Sequence, residues 1–128
     1  MFKLNDYSQE QKTKKIIQTE EDLRNVLGAL QESEPQFVDL IAPSGDCLTI
    51  GIGGPLACVM HTQASGRPPY LIAIRDMENQ EDFVEFDAGG TPTPIPVYQC
   101  LPYDEMVNVA VSFFYNKSLP QNVQWEEV

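Results

Sequence analysis

The chain has 128 residues and 14.4 kDa, the size of one ordinary domain. With 42% hydrophobic and 21% charged residues it can bury a real core, so wholesale disorder is excluded and neither disulfide nor metal is needed for folding. Nineteen acids against eight bases give a net charge of −11, a surface that repels phosphates and excludes direct nucleic-acid binding. The imbalance is regional. Residues 1–17 carry Lys3, Lys12, Lys14 and Lys15 against Asp6 and Glu10, a balance of +2, and the remainder carries 17 acids and four bases, a balance of −13. Such a surface attracts a basic protein, and it also serves plain solubility. No apolar run approaches the roughly 20 residues of a membrane span. The first ten residues are polar, without the apolar core of a signal peptide, so a cytoplasmic protein is expected. Cys47, Cys58 and Cys100 are odd in number and widely spaced, which fits reduced thiols better than a disulfide framework.

In chain order, residues 1–13 read as a polar, flexible leader, and residues 14–128 as a single domain. Lys15–Gln18 is a short strand. Thr19 and Asp22 have the spacing of a capping box, and Glu20, Glu21 and Asp22 place acids at the positive end of a helix. Leu23, Val26, Leu27 and Leu30 form one apolar stripe on that helix, over residues 20–31. Strands follow at 37–42, 47–52 and 56–60, separated by Pro43–Asp46 and Gly53–Pro55, which are hairpin turns. The loop 63–69 leads to a strand at 70–74. A turn near 77–80 leads to another at 82–87, where Phe83 and Phe86 against Asp82 and Glu85 suggest one dry and one wet face. Thr91–Pro96 holds three prolines in six residues, so it is an edge strand or an extended loop.

Pro102 suits the first position of a second helix, with Asp104 and Glu105 in its first turn. Met106, Val109, Ala110, Phe113 and Phe114 form its apolar face, and it ends near Tyr115–Asn116. A last strand covers 123–126. Short connections between successive strands exclude parallel crossovers. The expected class is α+β: an antiparallel sheet of about five to seven strands with two helices, one near each end of the chain.

No constellation marks this chain as an enzyme, and no catalytic residue, metal ligand or cofactor is assigned. The single histidine, His61, stands three residues from Cys58 on one strand, an offset that sends the two to opposite faces, and no second pair completes a zinc site. Gly51-Ile-Gly-Gly54 lacks the lysine and helix of a phosphate loop and reads as a turn. None of the cysteines sits in an activating motif. Asp76, Glu78, Glu81, Asp82, Glu85 and Asp87 are six acids in twelve residues without a base. They are either a solvated hairpin face or an electrostatic binding surface. Arg67-Pro-Pro-Tyr70 offers a neighbouring loop with an aromatic anchor.

The last forty residues carry a resemblance. Gly90-Thr-Pro-Thr-Pro-Ile-Pro96, Leu101-Pro102, Phe113-Phe114, Leu119-Pro120 and Val123-Gln124-Trp125 resemble, in order, the Imm-one family of bacterial immunity proteins. An N-terminal helix followed by Leu48-Thr-Ile-Gly-Ile-Gly-Gly54 agrees more loosely. The chain departs from the family at Asn116-Lys117, where a glycine is usual. The resemblance implies a cytoplasmic antitoxin of a polymorphic toxin system. Its partner would be a cognate toxin domain, a nucleic-acid deaminase or a nuclease; apart from the resemblance, no cofactor is expected, and the oligomeric state is open with a monomer favoured. It also implies that Trp125, Pro102, Phe113 and Phe114 are structural. The alternatives are a generic acidic adaptor and an enzyme built on a carboxylate pair.

Overall fold

The computed structural model describes residues 2–6, 14–75, 82–116 and 119–128. Within them the chain forms strands β1 (Phe2–Asp6), β2 (Lys14–Ile17), β3 (Gln36–Ile41), β4 (Cys47–Ile52), β5 (Leu56–Thr62), β6 (Leu71–Ile74), β7 (Phe83–Ala88), β8 (Thr91–Pro96), β9 (Leu101–Pro102) and β10 (Gln124–Glu127). The helices are α1 (Glu20–Gln31) and α2 (Tyr103–Asn116), and a 3-10 turn covers Val97–Gln99. This is the α+β class expected from the sequence.

The main sheet runs β10-β6-β5-β4-β3-β1-β2, antiparallel throughout. The β7–β8 hairpin joins it through one parallel bridge, Gln36 to Asp87, and β9 pairs with β5. The expected leader is corrected here. Residues 2–6 form β1, which lies between β2 and β3, and Phe2 and Leu4 are buried. Phe2 and Leu4 alternate with Lys3 and Asn5, a half-buried strand pattern masked by the polar composition around it. Residues 7–13 lie outside the described residues.

Period-2 alternation divides the sheet into two unlike faces. On one, the cross-strand rows Leu4–Leu40–Leu48 and Val38–Ile50–Val59 are buried. Both helices cover this face through Leu23, Val26 and Leu27 of α1 and Met106, Val109, Ala110 and Phe113 of α2. Each fully buried Leu, Ile or Phe contributes about 1.5–3 kcal/mol, so this layer dominates stability. Phe113 is fully buried and packs edge-on against Phe2. Phe114 is half-buried against the Phe2 ring.

Helix α1 starts where the sequence places it. Thr19 Oγ1 accepts from the Asp22 amide, and Asp22 Oδ2 accepts from the Thr19 amide, a complete capping box. Arg24 lies 2.6 Å from the Glu20 carboxylate; with the Tyr115 hydroxyl it holds that carboxyl below its usual range. Helix α2 starts one residue late. Pro102 pairs with Leu56 in β9 rather than opening the helix. Its ring still keeps the helix from starting earlier, because the residue before a proline avoids the helical region. Of the Asn116-Lys117 pair at which the chain departs from the family, Asn116 ends α2 and Lys117 lies outside the described residues. Trp125 is half-buried against the core, and its Nε1 donates to the Pro120 carbonyl at 3.3 Å.

The second face is covered only in part. The β7–β8 hairpin lays Val84, Phe86, Ala88 and Ile95 over Phe37, Cys58 and Cys100, a small separate core. Phe83 points away and is 60% exposed, so the dry face of β7 starts at Val84, not at Phe83. Gly51 of β4 makes this overlay possible. A Cβ there would stand 2.5 Å from Cys58 Sγ and 3.2 Å from both Phe37 and Phe86. Gly51→Ala is expected to cost about 1–3 kcal/mol through overpacking. Adding Cys58→Ala should recover part of it, because the new methyl then occupies space left by the sulfur. Urea midpoints of the three proteins check this, and a Gly51→Ala midpoint equal to wild type would mean the hairpin is not pinned there.

His61 lies on the helix-covered face, with its ring 5.9 Å from that of Phe113 and its Nδ1 without a hydrogen-bond partner. Burial lowers its pKa from 6.5, and Asp46 opposes this weakly. The folded state therefore binds fewer protons than the unfolded chain, so stability is lost as pH falls through about 6.5 toward the folded value. His61→Gln removes that dependence. The stability of wild type relative to His61→Gln should fall between about pH 8 and about pH 5 in urea titrations, and a constant difference would refute the burial effect.

Candidate functional site

None of the three cysteines is activated by its surroundings. Cys58 belongs to the small core under the hairpin while His61 packs on Phe113, so the two face opposite ways, as their offset requires. Burial pushes the Cys47 and Cys58 thiols up to about 12 and Cys100 to about 11. These are the values of inert structural thiols, not of thiolate nucleophiles. Among the described residues no three His, Cys, Asp or Glu side chains converge as metal ligands. Gly53 and Gly54 take positive φ in the β4–β5 turn, where the Gly54 amide donates to the Gln31 carbonyl. That loop docks the end of α1 and presents no phosphate cradle.

The acidic hairpin is partly visible. Asp76, Glu78 and Glu81 lie outside the described residues. Asp82 is exposed at the start of β7. Glu85 and Asp87 point to the outer side of the hairpin with Phe83, opposite Pro94, Pro92 and Pro96 on β8. The Ala88–Thr91 pair closes a two-residue loop, so the pairs holding the prolines are the non-hydrogen-bonded ones. Each proline thus lacks an N–H on the free edge of the hairpin, which blocks strand addition there. The Asp87 amide turns the other way and donates to the Pro35 carbonyl at 2.9 Å, anchoring the hairpin to β3.

Arg67 and Tyr70 lie on the loop before β6. Their loop meets the β3–β4 turn, where the Ala64 amide donates to Asp46 Oδ1 at 2.9 Å. The hairpin sits at the β4–β5 end of the sheet, over Gly51. The Tyr70 hydroxyl folds back onto the Gly66 carbonyl at 2.5 Å, and Arg67 is exposed.

The sequence reading missed a second feature, a groove on the sheet face that the helices leave open. It holds ≈ 280 Å³ between β4–β6 and the hairpin's return, and Phe37, Cys58, Met60, Ile72 and Ile95 line it. Along one cross-strand row of this face come Asn5, Asp39, Thr49, Met60, Ile72 and Glu126. Acids therefore flank the apolar centre on both sides. Thr49 donates its hydroxyl to Asp39 Oδ1 at 2.7 Å, and Gln99 donates its amide to the Tyr98 hydroxyl at 3.0 Å. The signal in the sequence was Asp39, a charge inside the otherwise apolar run Phe37–Ala42, where only an uncovered face could hold it. An apolar centre with a polar, charged rim is the anatomy of a protein-binding surface.

Comparison with known proteins agrees with a binding protein. A family model described as immunity protein Imm1 matches residues 11–127, beginning just after β1 and reaching through β10. No curated protein matches the chain. The match spans nearly the whole chain, including every segment whose spacing carried the resemblance, and the chain belongs to the Imm1 family of immunity proteins.

Proposed function

We propose that this chain neutralises a nucleic-acid-targeting toxin domain, a DNA cytidine deaminase, by covering its active site in the cytoplasm of the cell that makes the toxin. Membership in an immunity-protein family supplies the role of binding and inhibiting a cognate toxin. Charge carries the step to a nucleic-acid enzyme. The enzyme's cleft must be basic to hold a phosphate backbone, and 17 acids against four bases after residue 17 make a complementary surface. The deaminase assignment comes from the family resemblance in the C-terminal third.

Complementary charge acts first on the rate of encounter, raising association toward ~10⁸ M⁻¹s⁻¹ at low salt. That suits an inhibitor that must capture its target before damage occurs. Affinity needs a standard interface of about 1,600 Å² with a few buried anchors. The acids from Asp76 to Asp87 are the proposed steering surface, with Glu85 and Asp87 already facing outward.

Co-expression with the toxin encoded beside its gene should restore viability, and purified protein should stop uracil formation in DNA by that toxin domain. Strand scission in place of uracil formation would reassign the partner to a nuclease. Failure to protect would overturn the antitoxin reading for that toxin. Charge reversal of Asp76, Glu78, Glu81 and Asp82 to Lys, in a variant shown to fold, should slow association about tenfold and flatten its salt dependence. An unchanged rate and salt slope would place the steering surface elsewhere.

A further inference from the structure

We infer that the groove on the open sheet face is the locking site for the toxin, and that it receives an arginine-bearing basic segment. This rests on the antitoxin reading above and adds to it the surface and the chemistry of the occupant. Three observations point to arginine. The floor is apolar: Phe37, Met60 and Ile72 can take an alkyl stem. The rim is anionic: Asp39 and Glu126 stand on the same face at either end of the row through Thr49, Met60 and Ile72. The polar groups nearby offer oxygens: the Thr49 hydroxyl spends its one donor on Asp39, and Gln99 carries an Oε1 acceptor beside the Nε2 that donates to Tyr98. A carboxylate accepts several hydrogen bonds, so Asp39 can keep the contacts it already makes, that to Thr49 among them, and still receive a guanidinium. An apolar stem ending in a planar cation meets all three conditions, and none of the residues lining the groove is cationic.

The inference separates two jobs that one acidic surface would otherwise share. The exposed acids of the hairpin act on the association rate. The groove, sheltered and partly apolar, acts on the dissociation rate.

Two variants test it in the full chain, with the catalytic domain of the toxin encoded beside the gene as probe. Asp39→Asn keeps an acceptor for Thr49 while removing the charge. Thr49→Arg places a guanidinium in the groove from within. Both should release the toxin domain about tenfold faster or more, with association changed less than about threefold. Glu85→Lys with Asp87→Lys should show the opposite pattern. Methyl cross-saturation from protonated toxin domain to wild-type protein should reach Met60, Ile72 and Ile95 and spare Val111 in the helix layer. If both groove variants melt like wild type and release the toxin at the wild-type rate, the groove is not the site. Cross-saturation that bypasses Met60 and Ile72 overturns it independently of any variant. A wild-type dimer that Thr49→Arg dissociates would also overturn it, by assigning the groove to a second copy of this chain. Wild type that binds no toxin domain defeats the parent reading instead, and the groove assignment falls with it.

Discussion

The arrangement depends on one close approach. At Gly51 the β4 backbone lies bare beneath Phe86, with Cys58 and Phe37 at its sides. A side chain there would lift the hairpin from the sheet. Its absence lets β7 and β8 cross the second face at one end and leave the rest open. A helix layer over that face would have closed it, and no hairpin at all would have left it flat. The groove exists because the coverage stops partway, with Ile95 forming one wall and the sheet the floor. A turn glycine and a packing glycine thus stand three residues apart in Gly51-Ile-Gly-Gly54 and do different work. Gly54 serves the turn through positive φ, and Gly51 serves the overlay through lack of volume.

Most of the elements were legible because they carry local signals. The capping box at Thr19, the apolar stripe of α1 and the turn glycines of the β3–β5 meander fix their elements without help from the rest of the chain. The immunity family was legible too, from the order of short motifs in the C-terminal third, and the match over residues 11–127 agrees. What was hidden depends on contacts between distant segments. Strand β1 is recognisable only once β2 and β3 flank it, because two buried side chains in five residues are a weak signal alone. The orientation of β7 is equally non-local. Phe83 and Val84 are both apolar, and only the seat of Phe86 over Gly51 decides which of them points inward. The groove is further from reach still, since it joins β3 to β6 with β8 and the Val97–Gln99 turn.

The charge pattern acquires meaning from this geometry. A count of acids cannot distinguish a solubility coat from a binding surface. Position can. Glu85 and Asp87 sit on the outer hairpin face beside exposed Phe83, where solvent screens them and where they act over distance. Asp39 sits in a strand of the main sheet, with Thr49 already bonded to it, where a partner's cation would be held in a defined place. On the proposed reading, the same formal charge serves capture in one location and retention in the other.

The sheet's edges fit the proposal that its open face does the binding. Extended edges are the simplest sites for a partner strand, and among the described residues β8, β2 and β10 each carry a guard. Prolines 92, 94 and 96 strip donors from β8. Lys14 and Lys15 sit on β2, and Glu126 and Glu127 on β10, so each of those edges carries like charges that oppose self-pairing. Strand addition would also recognise backbone, which any extended segment can supply. A side-chain groove discriminates by shape and charge instead. Alternation makes this inexpensive for the fold. Val38, Leu40, Ile50 and Val59 face the helices and hold the structure, while Phe37, Asp39, Thr49 and Met60 face the other way. One set of strands thus carries a core and an open face whose residues interleave in sequence without touching the same layer, so the open face can change its chemistry while the helix-covered core stays intact.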